Sequence, residues 1–382
     1  MKKFEAQAAR PGNLNWEKLI ERQQPIYKRE DEIRSEFARD YTRVLHSLAF
    51  RRLKHKSQVF FNGAGNDHIC TRMEHVYHVD SVSSTIAIAL GLNEELTKAI
   101  AIAHDLGHAP FGHEGESILS RISQRELGKN FWHEQNGLRF IDDVELLEDG
   151  ERRLQNLNLT YAVRDGVISH CGELDKNCLR PREELFDLSE FNEAGKYEAA
   201  TWEGCVVKLA DKIAYLGRDI EDATRLGYIG EQKINTTVIM HSMIIDLCKS
   251  SSPEAGLVLS PEMSEQMNRI KAFNYENIYL NPRLEPFRRY AEKVLTELYD
   301  SLMEAREYLL EGAKADAARP PAKSYIDDFG EFLHRYTDEG IQNRRIYGDL
   351  SDEAQYKQAA IDFLAGMTDN YATKCYEELI EC

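Results

Sequence analysis

The sequence has no apolar run approaching the roughly 20 residues that span a bilayer; its best stretch, around Thr85–Leu92, stops far short. The opening MKKFEAQAARPGN carries two lysines but no apolar h-region and no small-residue cleavage site, so no secretory signal is expected. The seven cysteines include no CxxC pair, which removes zinc-ribbon spacing, and an odd number in so long a chain does not read as a disulfide framework. Reduced thiols and a cytoplasmic location are the expectation. A basic excess is also missing. Against 65 Asp+Glu stand 48 Lys+Arg, a net charge of −17, which repels nucleic acid and anionic lipid unless the cations cluster. They cluster once, in Phe50–Lys56 (FRRLKHK), which reads as a local anion site. For Arg51 and Arg52, a solvated basic face is as good an account as phosphate binding. Two-residue alternation is scarce; Gln58–Asn62 and Gly256–Ser260 are the candidates for short strands.

What is present is helical. The 382 residues, 42% hydrophobic and 30% charged, suit two folded domains or one large one. Ile33, Phe37, Tyr41, Val44, Leu45 and Leu48 recur at threes and fours, as do Met73, Val76, Val79, Val82, Ile86 and Ala89. Similar stripes occupy 94–104, 134–141, 199–223, 236–249, 286–310 and the chain from 353 onward. The chain reads as all-α. Ser250–Ser252, Pro253 and Gly256 mark a soft boundary, giving 1–249 as a catalytic domain and 250–382 as a further helical region. Ten of the twelve histidines precede Lys212 and seven lie between His68 and His133, so the chemistry belongs to the first part.

The sharpest segment is His104–Glu116 (HDLGHAPFGHEGE), directly after the apolar helix Thr97–Ala103. Neighbours on a helix point about 100° apart, so His104 and Asp105 are able to converge on one ion beside them. Imidazole with carboxylate suits a divalent first-row metal, which needs further ligands from elsewhere. His75 is one candidate, although a satisfied core histidine is the plainer account of it alone. Asp211 is another: it sits in Cys205–Leu216 (CVVKLADKIAYL), apolar on most sides, where a buried acid must be paired or bind a metal. A salt bridge to Lys208 or Lys212 serves Asp211 equally well.

Together these residues form the pattern His…His-Asp…Asp, and the chain resembles the HD superfamily of metal-dependent phosphohydrolases. It is most similar in kind to the deoxynucleoside triphosphate triphosphohydrolases, the dGTPase-like enzymes. The resemblance rests on five blocks in the family's order: Ser47–Phe60 (SLAFRRLKHKSQVF), Thr71–His75 (TRMEH), His104–Glu116, Trp132–Gln135 (WHEQ) and Asp211–Asp222 (DKIAYLGRDIED). The last third has no motif that can be placed.

The resemblance implies a helical HD fold with additional C-terminal helices that splits a dNTP, dGTP as the first guess, into deoxynucleoside and triphosphate. His75, His104, Asp105 and Asp211 match the ligands of a divalent ion (Mg, Mn or another first-row transition metal). Such an ion polarises a phosphoryl oxygen and lowers the pKa of water. The departing 5′-oxygen needs a proton, and His113 matches the family's catalytic histidine, with Glu116 three residues on as its paired acid. A capping Glu beside a surface His is the alternative account of that pair. His133 and His108 match further histidines of the same pocket, whereas His78 is expected to be structural. Gln58 and Asp219 match contacts to the 3′-hydroxyl, and Tyr215 the ring that packs under the sugar and excludes a 2′-hydroxyl. Arg72 and Lys212 match triphosphate contacts. Asp211, Tyr215 and Asp219 at i, i+4 and i+8 then share one helix face. The polar, Gly-rich Phe61–His68 insert (FNGAGNDH) is expected to alter the entrance to the site. The family also implies a homo-oligomer and a second nucleotide as activator. Two rivals share the metal ligands: an HD phosphohydrolase acting on monophosphates, cyclic nucleotides or guanosine tetraphosphate, and a non-catalytic nucleotide sensor or single-strand binder. The net charge opposes nucleic acid as the main partner.

Overall fold

The computed structural model describes residues 2–26, 31–61, 68–149, 152–172, 177–230, 235–311, 323–337 and 345–381. Its helices are α1 (Trp16–Leu19), α2 (Glu36–His46), α3 (Leu48–Arg52), α4 (Arg72–Leu90), α5 (Glu94–Ala103), α6 (Gly112–Leu127), α7 (His133–Arg139), α8 (Tyr161–Ile168) and α9 (Trp202–Arg225). Beyond these run α10 (Thr236–Ser250), α11 (Pro261–Asn274), α12 (Glu285–Glu304), α13 (Arg306–Glu311), α14 (Ser324–Thr337), α15 (Glu353–Gly366) and α16 (Asp369–Ile380). The all-α expectation holds. Among the described residues two short strands occur, Leu147–Glu148 and Leu154–Gln155, which pair antiparallel. Neither expected strand forms as such among the described residues: Ser57 makes an isolated bridge to Thr71, and Gly256 and Leu257 bridge Ser252 and Leu179. Of the Phe61–His68 insert, 62–67 lie outside the described residues. No helix among the described residues is long and apolar enough to cross a membrane.

Helices α4, α5 and α9 form the centre. In α5, Leu96, Thr97 and Ala99–Ala103 are all buried, so it is enclosed on nearly every side. Its alternating alanines keep the cylinder thin and let neighbours approach. Helix α4 starts at a reciprocal cap, in which Thr71 Oγ1 accepts from Glu74 N while the Glu74 carboxylate accepts from Thr71 N. It stops at Gly91, whose φ of 91° is left-handed and open to glycine. Helix α9 is capped by Thr201, which accepts from Gly204 N.

Two backbone features shape the loop between α5 and α6. A Cβ on Gly107 would lie 2.1 Å from Gly137 N and from His133 O, so only glycine lets the turn after Asp105 close onto α7. Phe111 then adopts φ 65°, rare for a residue with a side chain. Its N–H is held by Asp369 Oδ1 at 2.8 Å, while Asp369 Oδ2 takes Ser57 N at 2.9 Å. The first turn of α16 therefore clamps two loops of the N-terminal half.

The FRRLKHK cluster does not assemble into one anion site. Arg52 pairs with Glu145 and lies over Phe140. Lys56 is buried, donates to the His108 and Ala365 carbonyls, and burial presses its pKa down to about 7. Arg51 and Lys54 face solvent. Helical phase sends neighbouring cations to different sides of a segment, so proximity in sequence does not add their fields.

Candidate metal and nucleotide site

The end of α5, the start of α4 and the middle of α9 meet at the floor of a cavity of about 540 Å³, within the usual range for ligand sites. Its lining includes His75, Asp105, His108, His113, His133 and Asp211, and also Gln58, Arg72, Lys212, Tyr215 and Asp219. Of the expected site residues, only His104 and Glu116 stand just behind this lining, each touching residues that form it.

At the floor, His75 Nε2 lies 2.9 Å from Asp211 Oδ1 and 3.8 Å from Asp105 Oδ2. The alternative salt bridges for Asp211 do not form: Lys208 pairs with Glu198, and Lys212 donates to the Gly172 carbonyl at 2.8 Å. His104 Nδ1 meets the Ala101 carbonyl at 2.6 Å, and a carbonyl only accepts, so the ring proton is there. Its Nε2 is left as a lone pair, fully buried, with no hydrogen-bond partner among the described residues. That lone pair faces Asp105 Oδ1 at 3.4 Å and Asp211 Oδ1 at 4.0 Å, an arrangement of acceptors against acceptors. Such a cluster is costly unless a cation sits among it. Two imidazoles and two carboxylates suit a divalent first-row ion, and so the residues fit a metal.

The electrostatics agree with a preference for charge. Burial opposes charge on His75, but the hydrogen bond and charge of Asp211 outweigh it and raise its pKa. Burial likewise opposes the Asp211 carboxylate, yet His75 holds its pKa down at about 2. Asp105 also lies well below its ordinary value, because His104, His108 and Arg72 overcome its burial. Arg72 is itself buried, with Nη1 on Asp105 Oδ2 at 2.9 Å and Nη2 on the Gln58 carbonyl at 3.0 Å.

A second group surrounds this floor. His108 Nε2 contacts Asp105 Oδ1 at 3.1 Å, and its ring stacks on His133 with centroids 3.8 Å apart. Burial, then Arg72 and His133, push the His108 pKa well below normal. His133 goes the other way: Glu116 and Glu134 overcome burial and raise it well above. Glu116 serves two histidines. Its Oε1 accepts from His133 Nδ1 at 2.9 Å and from His133 N at 2.8 Å, whereas Oε2 meets His113 Nδ1 at 3.4 Å. Sequence spacing pointed to His113 alone as its partner; the tighter contact is to His133, 17 residues on. The His113 side chain is 69% exposed, at the edge of the cavity.

On α9, Asp211, Tyr215 and Asp219 share the face that lines the cavity, as their spacing requires. Asp219 is buried, accepts from the Tyr279 hydroxyl, and burial lifts its pKa to about 6. Gln58 is buried with Oε1 lacking a partner among the described residues.

Several lining residues were not found by reading the sequence. His170 and Cys171 follow the end of α8, and their signal was present: an apolar helix running into a histidine, as at His104. The two histidines even share a lock, since His170 Nδ1 donates to the Val167 carbonyl at 2.7 Å, three residues back. The far wall comes from beyond residue 250, with Lys271, Tyr275, Tyr279, Phe287 and Arg288. Arg288 Nε donates to Glu114 Oε1 at 2.8 Å, tying α12 to the start of α6. Nothing in the pattern of the last third announces these residues, because they reach the site only by packing.

Comparison with known proteins agrees with this geometry. The HD domain matches residues 72–216, and the phosphohydrolase-associated domain matches 257–329. A deoxyguanosinetriphosphate triphosphohydrolase-like protein of Desulfatibacillum aliphaticivorans is 34% identical, covering 91% of this chain and 88% of its own. One from Caldanaerobacter subterraneus subsp. tengcongensis is 32% identical, over 91% and 86%. With buried histidines and carboxylates fit for a metal and homology along nearly its whole length, the chain belongs to the deoxyguanosinetriphosphate triphosphohydrolase-like family of HD-domain phosphohydrolases.

Proposed function

We propose that the protein hydrolyses deoxynucleoside triphosphates, dGTP first among them, to the deoxynucleoside and inorganic triphosphate. The observation that carries this reading is the single face of α9. It runs from Asp211 in the carboxylate–imidazole floor, past Tyr215, to Asp219 eight residues on, about 12 Å at 1.5 Å per residue. One rigid helix thus offers a phosphate end and a sugar end.

His75, His104, Asp105 and Asp211 would hold a divalent ion, Mg²⁺, Mn²⁺ or another first-row metal, which when bound supplies charge to phosphoryl oxygens and lowers the pKa of water. Around it, Lys212 and Arg72 contribute positive charge to the triphosphate. Gln58 and Asp219 accept from or donate to the 3′-hydroxyl, and Tyr215 packs against the sugar where a 2′-hydroxyl would collide. Water adds at the α-phosphorus, and the 5′-oxygen leaves needing a proton. We assign that proton to His113, with Glu116 orienting the ring through Nδ1, and we place His133 and His108 in the same catalytic pocket. The region 250–382 completes the wall opposite α9 and is also our candidate for subunit and activator contacts. A monomer by ultracentrifugation, with and without nucleotide, would remove that last assignment.

The test is incubation with Mg²⁺ or Mn²⁺ and the four dNTPs, singly and mixed, with products separated by ion exchange. Deoxynucleoside plus intact triphosphate supports the reading, and turnover only in mixtures supports an activating nucleotide. Cleavage of monophosphates or cyclic nucleotides instead of dNTPs overturns it in favour of another HD activity. Binding without any turnover leaves a sensor.

A further inference from the structure

Four groups suffice for an ion at the floor, yet three more potential ligands lie beside them with no such use. His133, His170 and Cys171 bring a ring nitrogen, a ring nitrogen and a sulfur within 4.8 Å of one another. We propose that His133 Nε2, His170 Nε2 and Cys171 Sγ form a second metal site, adjoining the first at Asp105 and His104, that takes a thiophilic divalent cation such as Zn²⁺.

His170 supplies the strongest indication. With its proton fixed on Nδ1 by the Val167 carbonyl, Nε2 is a lone pair on a side chain 1% exposed, without a hydrogen-bond partner among the described residues. Its nearest charged neighbour is Asp105 Oδ1 at 3.9 Å, again acceptor against acceptor. His133 is oriented from behind by Glu116 on Nδ1, so its Nε2 edge turns to Cys171 Sγ, 3.2 Å away. A carboxylate bound to the far nitrogen of an imidazole is the support metal-ligating histidines ordinarily carry. Nitrogen and sulfur ligands at 2.0–2.3 Å in a tetrahedron stand roughly 3.5 Å apart, so small side-chain movements close the site. A cation replaces the protons on His133 Nε2 and Cys171 Sγ, which are released to solvent. Sulfur disfavours Mg²⁺ and favours Zn²⁺ or Co²⁺, whereas the floor site has only nitrogen and oxygen donors.

That difference in donor atoms makes the proposal testable by spectroscopy, without turnover. The full chain is stripped with chelator and titrated with Co²⁺, tracking metal content and near-ultraviolet absorption. Two equivalents are expected, one giving a thiolate-to-cobalt charge-transfer band. Cys171→Ser removes the band and one equivalent, and His170→Gln weakens the second equivalent, each with circular dichroism unchanged. Cys178→Ser, an exposed thiol on the Ala255 carbonyl, keeps both. A single equivalent without the band in the unaltered protein overturns the site, as does a band that survives Cys171→Ser. Should His170→Gln fail to fold, Cys171→Ser alone decides. Since no nucleotide is cleaved in the assay, its failure is distinct from failure of the hydrolase reading.

Discussion

The floor and the mouth of the cavity are built on opposite terms. At the floor, His104 is 0% exposed and His75 3%, held between α4, α5 and α9 by contacts that leave the His104 Nε2 lone pair facing carboxylates. At the mouth, His113 is 69% and Tyr275 58% exposed, on α6 and just past α11, where side chains have room to meet a ligand. The floor concentrates charge in a place that excludes water, which makes each electrostatic contact stronger. The mouth trades that strength for access. On the proposed reading, changes at the floor abolish chemistry, and changes toward the mouth and the sugar end adjust which substrate is held and how tightly.

Asp211→Asn gives the largest expected effect. Metal assistance is worth several kcal/mol, so kcat should fall by about 10³-fold or more, with bound metal lost by elemental analysis. Retained metal with full activity would break the comparison at its root. His113→Gln comes next. General acid catalysis contributes about 10²–10⁴-fold, so kcat should drop by about 10²-fold or more while metal content stays at the unaltered level. Loss of metal there would mean that the mouth is part of the floor.

Asp219→Asn tests the sugar end through stability. Burial raises the Asp219 pKa from 3.8 to about 6. The folded state therefore binds that proton more tightly than the unfolded state. Its stabilising contribution is present at low pH and is lost as pH rises from about 4 to about 6. Two units at 1.36 kcal/mol each give about 3 kcal/mol carried against the fold at pH 8. Asparagine has no such charge, so the variant should be more stable than the parent at pH 8 and equal to it near pH 3, by denaturant titration. Its KM for dNTP should rise. Equal stability at both pH values would mean the carboxylate is solvated in the folded protein. Tyr279→Phe is the mildest change. It removes one hydrogen bond to Asp219, worth about 1 kcal/mol, so KM should rise about fivefold with kcat nearly unchanged.

Sequence reading was strongest where chemistry and helical period coincide. His75, His104, Asp105 and Asp211 were singled out as candidate ligands by residue type together with the resemblance, and they do come together in space; the burial of Asp211 was legible because its helix is apolar around it. The resemblance picked out Asp211, Tyr215 and Asp219, and their spacing put them on one face of α9. Reading failed where contacts cross the chain. Glu116 prefers His133 to its near neighbour His113 since α7 is brought against the Gly107 turn, a closeness that depends on two glycines meeting. The basic run at 50–56 suggested one anion site and yielded buried, paired and solvated cations in turn. Asp369 holds Phe111 and Ser57 from more than 250 residues away, and no local pattern encodes that.

The amino-acid sequence by itself determined the helical class, the imidazole and carboxylate groups available for a metal and the helix face that carries Asp211, Tyr215 and Asp219. These stem from side-chain chemistry and the 3.6-residue period, both local properties. Only the tertiary structure decided that His170 and Cys171 stand beside the floor and that Tyr279 and Arg288 close the wall. It also decided that Arg72 is turned inward onto Asp105. Such outcomes depend on which buried surfaces pack together, a sum over distant residues that no short stretch of sequence contains.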